Sequence, residues 1–247
     1  MIEEILASDR DAPPKQRHTS KRIFERLRDE YGYDGGITQV KEAVARYKRH
    51  SKEVFVPLSH PPSQAQFDFG HATVVIAGQE RKAAFAVMTL PYPDAFLVTA
   101  YPRENTETFQ AAHVAAFNFF GGVPTRTSYD NTSIAVAKIV GRERELTREF
   151  LRLQSHFLFT HHFCHVGRGN EKGNVEGLVG YSRRNYMVPV PHASSFAELN
   201  AYLEQRCRDD LSRVLRGNTQ TKTELLEVDR AAMLAIPTVS FEARRLV

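Results

Sequence analysis

Between Gln64 and Pro102 three strand-like runs succeed one another, "QAQFDFGHATVVI", "RKAAFAVMTL" and "AFLVTAYP", joined only by "AGQE" and "PYPD". Connections this short cannot carry a crossover, so the runs must form an antiparallel meander. The meander fixes three neighbouring strands of one sheet and leaves the later segments to cover or extend that sheet.

Beyond Pro102 helical and strand-like segments alternate. Asn105 is placed to cap "TETFQAAHVAAFNFF", where Phe109, His113, Ala116, Phe117 and Phe120 recur at helical spacing. "GGVP" ends that helix, and "TRTSYDN" reads as a short strand carrying Asp130 at its far end. A helix from about Leu146 to Gln154, a strand-like "HFLFTHHFC", a helix beginning near Glu171 and another from Phe196 to about Leu215 complete the order βββαβαβα. In the last helix Leu199, Tyr202, Leu203 and Leu211 are expected to face inward. That order predicts an α/β fold, a ribonuclease-H-like mixed sheet with three antiparallel strands then parallel ones, flanked by helices. Other α/β folds share parts of it.

Upstream the pattern is helical. Thr19 opens "TSKRIFERLRDEYG", with Ile23, Phe24, Leu27 and Tyr31 on one side, and Gly32 closes it. A second helix starts at Thr38, with Val40, Ala43, Val44 and Tyr47 as its stripe. Two short helices around a glycine-containing turn predict a small N-terminal helix-turn-helix module, although any helical hairpin reads similarly. From Pro13 to Lys52 there are 11 Lys/Arg against 5 Asp/Glu, a surplus of 6 in 40 residues, whereas the whole chain carries +4. Such a concentration suggests a polyanion partner, with Lys41, Arg46 and Arg49 on the second helix as the candidate contacts, the alternative being a solvated helical face. The domain expectation is therefore residues 1–50 as the helical module, 51–63 as a proline-bearing linker, 64–215 as the sheet domain and 216–247 as a helical extension.

Composition excludes several classes. No run of about 18 apolar residues is present, and "MIEEILASDRDAPPK" lacks the apolar segment of a signal peptide, so no membrane partner and a cytoplasmic location are expected. Cys164 and Cys207 make no disulfide or metal framework. The cluster His156, His161, His162, Cys164 and His165 fits no zinc-finger spacing. "GRGNEKG" lacks the lysine-serine/threonine pair of a phosphate-binding loop, and no Ser-His-Asp pattern is evident. "AKIVGRERE", Ala137 to Glu145, reads as either a mobile loop or a charged hairpin.

Three carboxylates remain. Asp68 lies inside a core strand between Phe67 and Phe69, so alternation turns it to the opposite face. Such a local conflict tends to mark function. Asp130 stands at a strand end. In "GNEKGNVEGLVGYSRRN", Glu171 and Glu176 are five apart, about 140° around a helix, and cannot both face one site. Val175, Leu178, Val179, Ser182 and Tyr186 make the buried stripe. Glu176 shares an adjoining stripe with Lys172, Gly180, Arg183 and Arg184, a carboxylate between cations that suit phosphates. Gly180 is expected to allow close backbone approach, and Glu171 suits the helix dipole. Carboxylates at 68, 130 and 176 are what two Mg²⁺ (or Mn²⁺) ions acting on a phosphodiester require.

At these residues the chain resembles the DDE transposases and integrases, specifically the IstA-type transposases of bacterial insertion sequences. The resemblance rests on "QAQFDFG", "TSYDN" and above all "GNEKGNVEGLVGYSRRN", and covers Thr19 to Val247. It implies Asp68, Asp130 and Glu176 as catalytic, metal-binding triad, DNA end cleavage and 3′-hydroxyl joining as the activity, a homo-oligomer on DNA, and an AAA+ helper ATPase as partner. Phe69 stands where the family usually has tryptophan. Family members are about twice as long, with a further N-terminal helix-turn-helix and a C-terminal β-barrel, so the chain resembles a truncated copy or an excised fragment. Lys172, Arg183, Arg184 and Asn131 are the expected DNA contacts of the core, Asn131 otherwise serving a turn. The alternatives are a truncated, non-catalytic DNA-binding repressor of transposition and a structure-selective nuclease of the same fold.

Overall fold

The structure, a computed structural model, describes residues 1–9, 17–50, 60–130, 134–140, 143–164, 173–215 and 217–243. The chain divides into two compact units, Met1–Pro57 and Leu58–Val247.

The first unit holds α1 (Ile2–Ser8), α2 (Ser20–Tyr31) and α3 (Ile37–His50). The Thr19 hydroxyl accepts the Arg22 amide at 3.2 Å, and Gly32 ends α2 with φ +64°. Ile23, Leu27, Val40 and Val44 are buried between α2 and α3, joined by Ile5 and Leu6 of α1. Helix α1 was not expected from the sequence. Seven residues with two glutamates have little helical tendency of their own, and it is burial of Ile5 and Leu6 that holds them. Tyr31, expected on the apolar stripe, is exposed. Asp9 ties the unit together: its carboxylate accepts the His18 amide at 2.9 Å and His18 Nδ1–H at 2.8 Å, which holds Asp9 below its usual pKa. On α2, Lys21 and Arg22 lie beside Glu25, Arg26 grips Glu30 with two bonds of 2.8 Å, and Arg28 meets Asp29. Helix α2 thus keeps a surplus of only one, against three on α3.

The second unit is built on a sheet of β1 (Gln64–Ile76), β2 (Gln79–Leu90), β3 (Ala95–Tyr101), β4 (Arg126–Tyr129) and β7 (Thr160–Phe163), in the order β3-β2-β1-β4-β7. β1, β2 and β3 are antiparallel in sequence, whereas β4 and β7 run parallel to β1. Ala77 and Gly78, both with positive φ, make the two-residue turn between β1 and β2. This is the ribonuclease-H-like mixed sheet that the element order predicts. The pair β5 (Val136–Val140) and β6 (Glu143–Leu146) forms a separate antiparallel hairpin, so the charged segment from Lys138 is a hairpin. β8 (His192–Ala193) adds a short parallel pair at the far end of β1.

One face of the sheet is covered by α4 (Thr106–Phe120) and α5 (Arg148–Phe157), with Phe67, Phe109, His113, Phe117, Tyr129, Phe150 and Phe159 in mutual ring contact. α6 (Gly173–Tyr186) crosses the other face, over β1 and β2. α7 (Phe196–Asp210) lies along β3, and the Asn200 side chain bonds both the amide and the carbonyl of Ala100, closing that edge. Two details differ from expectation. Tyr202 is exposed because the buried face of α7 is Leu199, Leu203 and Cys207, and α7 ends at Asp210. The run "HFLFTHHFC" is shared between the end of α5 and β7, with Leu158 in the left-handed region as the break.

Beyond α7, α8 (Lys222–Ala231) returns to the core. Lys222, 2% exposed, meets Asp210 at 2.6 Å and Asp94 at 2.7 Å. Leu234 bridges to Val123, and Phe241 packs on Phe157 with the Arg152 guanidinium 4.5 Å from its ring centroid.

Candidate active site

Gln66, Asp68 and Gly70 alternate along β1, and an unbroken register with β2 keeps them on one face. The opposite face carries Phe67 and Phe69, which pack edge-on at 5.3 Å and rest on Phe109 of α4. Aromatic burial on that side therefore aims Asp68 at the α6 side.

β4 pairs with β1 through Gln64–Arg126, Ala65–Thr127 and Gln66–Ser128. Asp68 and Asp130 each stand two residues beyond the last pair (68 − 66 and 130 − 128), so the same register carried on would set them level and on one face. Neighbouring strands lie about 4.8 Å apart, which sets the scale of the backbone separation between them. Tyr129 points the other way. Its hydroxyl donates to His113 Nε2 at 2.9 Å while His113 Nδ1–H donates to the Phe109 carbonyl at 2.7 Å. Burial drives the His113 pKa down to about 3 and the Tyr129 phenol well up, so the pair is neutral and rigid behind Asp130.

α6 touches β1 on both sides of Asp68. At one side the Val175 amide, otherwise an orphan of the helix N-terminus, donates to Gln66 Oε1 at 3.2 Å. At the other, Gly70 lets the helix in: a Cβ there would stand 2.7 Å from Val179 Cγ1 and 2.5 Å from Cζ of Phe85, its cross-strand partner. Asp68 lies between these contacts on the strand, and Glu176 lies between Val175 and Val179 on the helix. Asp68 is half-buried and accepts the Phe69 amide at 2.9 Å, while Asp130 and Glu176 are exposed.

In the last turn of α6, Arg183 and Arg184 are exposed; Arg183 Nε–H donates to the His71 carbonyl at 3.0 Å. The space above Gly180 is filled by the Arg184 guanidinium, 3.2 Å from where a Cβ would be, so the close approach there comes from this side chain. Lys41 and Arg46 are exposed on α3, in the other unit. Asn131, Glu171, Lys172 and the side chain of Arg49 lie outside the described residues.

Among the described residues no group of three His, Cys, Asp or Glu side chains is arranged to hold a metal ion. Repulsion between carboxylates on adjoining strands favours turning them apart, and Asp68 is turned onto its own strand's amide. The donor set itself, oxygen-only carboxylates on two paired strands and a helix, suits a hard cation that keeps several waters. Of the histidine cluster, His156 in α5 packs on Phe157 and Phe241, and His161 Nδ1 pairs with Gln154 at 3.2 Å, its pKa lowered by burial; His165 lies outside the described residues. Gln66 and Gly70 were not expected from the sequence, although their period-two spacing with Asp68 was available as a signal.

The family described as "Integrase core domain" matches residues 59–169, a span that includes Asp68 and Asp130 and stops before Glu176. A transposase of Aminobacter aminovorans is 36% identical over 214 residues, 82% of this chain and 42% of that protein. The transposase for insertion sequence element IS21 of Pseudomonas aeruginosa is 31% identical over 214 residues, 85% of this chain and 55% of that protein. The chain thus spans about half the length of these relatives. Among solved structures, a chain of the simian T-cell lymphotropic virus intasome in complex with PP2A regulatory subunit B56 gamma superposes with a TM-score of 0.50 at 13% identity, over 98% of this chain and 80% of that one.

Proposed function

Because this chain belongs to the IS21-type DDE transposases, whose integrase core domain it carries, we propose that it cleaves transposon DNA ends and joins the freed 3′-hydroxyl to target DNA. The observation that supports this reading is the register of β1 and β4, whose last pair stands two residues before both Asp68 and Asp130, on a strand that contacts the helix bearing Glu176. Asp68, Asp130 and Glu176 are the catalytic residues and the ligands of two Mg²⁺ or Mn²⁺ ions. Held by these three carboxylates, such ions would supply Lewis-acid stabilisation of the negative charge that builds up as a phosphodiester reacts.

Each residue contributes through its element. Asp68, on a strand hydrogen-bonded along both edges, is the rigid ligand. Asp130 stands one residue beyond its strand, and Glu176 is exposed in the first turn of α6. Arg183 and Arg184, with Lys172 and Asn131, hold DNA phosphates beside the reacting one. In the N-terminal unit α3 is the recognition helix of a helix-turn-helix, with Lys41, Arg46 and Arg49 on the transposon end. The working division is residues 1–50 for DNA binding, 51–63 as linker, 64–215 for catalysis and 216–247 as a helical extension. The protein acts in the cytoplasm as an oligomer on DNA, with an AAA+ helper ATPase.

The test is incubation with labelled transposon-end DNA and Mg²⁺ or Mn²⁺. The parent chain cleaves, whereas Asp68→Asn, Asp130→Asn and Glu176→Gln each lose cleavage by about 10²-fold or more and keep DNA binding. Asparagine at 68 still accepts the Phe69 amide, so the fold survives. Binding without cleavage in the parent chain rules out the enzyme and leaves the repressor reading.

A further inference from the structure

Ser63, the residue before β1, is held from three directions. Its amide donates to Asp229 Oδ1 of α8 at 2.5 Å, its carbonyl accepts Thr125 Oγ1–H at 3.0 Å and the Arg126 amide at 3.3 Å, and its hydroxyl accepts the Thr125 amide at 2.9 Å. Ser63 is buried with φ +66°, a conformation that costs a non-glycine residue about 1–2 kcal/mol. Asp229 is 0% exposed, and its Oδ2 has no hydrogen-bond partner among the described residues. A strained backbone and a half-satisfied buried carboxylate both oppose stability, so their presence at one knot calls for another role.

The geometry supplies it. Asp68 is five residues beyond Ser63 (68 − 63) and Asp130 five beyond Thr125 (130 − 125), on the two strands that the knot joins. The β1–β4 ladder comprises only three residue pairs, against eleven between β1 and β2. A slip of one residue turns Asp130 to the α4 face, and a slip of two moves it about 6.6 Å along the strand, more than the ~4 Å between paired metal ions. We infer that Asp229 is a positioning residue of the transfer site, which by holding Ser63 against Thr125 fixes the register that keeps Asp68 level with Asp130. This rests on the functional reading above, and it makes α8 part of the catalytic machinery without touching DNA or metal.

The test compares the parent chain with Asp229→Ala, Asp229→Asn and Thr125→Val by Mn²⁺ titration in an electron paramagnetic resonance experiment, by strand transfer, and by melting. Asparagine keeps an acceptor for the Ser63 amide; alanine removes it; valine removes the Thr125 hydroxyl and leaves Asp229 intact. Asp229→Ala is expected to weaken Mn²⁺ binding and to lower kcat by about tenfold with KM for DNA unchanged, the scale of losing a residue that orients metal ligands. Asp229→Asn restores both, and Thr125→Val gives an intermediate loss. Mn²⁺ affinity and kcat within twofold of the parent in folded Asp229→Ala, with only melting affected, reduces Asp229 to a structural residue. If that variant does not fold, Thr125→Val decides by the same criterion. A parent chain that neither binds Mn²⁺ nor cleaves refutes the functional reading, and this inference with it.

Discussion

Replacing Gly70 by alanine adds one carbon where there is no room for it. The new Cβ would stand 2.5 and 2.9 Å from ring carbons of Phe85 and 2.7 Å from Val179 Cγ1, against the 3.5–4.0 Å of ordinary carbon contacts. About 1 Å must be found. Phe85 is 0% exposed within the sheet, so the yielding partner is α6. Overpacking of this kind costs about 1–3 kcal/mol, or roughly 2–12 °C in melting temperature for a domain of this size. The effect on chemistry is larger in proportion, because α6 carries Glu176 and a misplacement of about 1 Å costs on the order of 10²-fold in rate. Strand transfer at saturating Mg²⁺ and DNA, with melting of the same samples, measures both. Val179→Ala in the Gly70→Ala background opens one side of the clash and recovers part of the rate. A Gly70→Ala chain that melts lower but transfers strands at the parental kcat would falsify the claim that this contact sets the position of Glu176.

The neutral His113 has an acid signature. Its pKa is about 3 in the fold against 6.5 when free, so the unfolded chain takes up the proton first. Its contribution is intact above pH 6.5, is lost as pH falls toward 3, and has lost about 2 kcal/mol by pH 5. His113→Leu, which leaves the Tyr129 hydroxyl without its acceptor, is expected to cost about 1–3 kcal/mol at pH 7 and to lose less on going to pH 5. Urea unfolding at the two pH values checks this, and equal acid losses in both chains refute it. Asp229, whose pKa burial pushes up to about 6, works in the opposite sense, stability falling as pH rises from 3.8 to 6, and it cancels in the comparison. On α3, Arg46→Ala is expected to weaken DNA binding and to reduce the slope of log affinity against log salt by about 1; an unchanged slope removes that side chain from the interface.

The meander and the alternation after it were legible because each depends on local chemistry: paired positive-φ positions at Ala77 and Gly78, a capping box at Asn105 and Thr108, and strict periodicity between. The boundary of α5 was not, since Leu158 ends it in a left-handed conformation that only tertiary context enforces. The same holds for α1, whose helicity comes from burial of Ile5 and Leu6. Asp68 was legible as a conflict, a charge between two phenylalanines. The residues that bring α6 to it were silent, because an amide accepted by Gln66 and a missing Cβ at Gly70 have meaning for α6 only across 109 residues of chain (175 − 66 and 179 − 70). Ser63 and Asp229 are the extreme case.

That pair also orders the making of the protein. Asp229 comes 166 residues after Ser63, and at about 5–20 residues per second a ribosome takes roughly 8–33 s to supply it. Among the described residues the core of the first unit draws on nothing later than Tyr47. A newly made chain therefore has its three-helix unit complete while β1 and β4 still await their anchor. The three-helix unit is finished first, and the strands that carry Asp68 and lead to Asp130 are locked last.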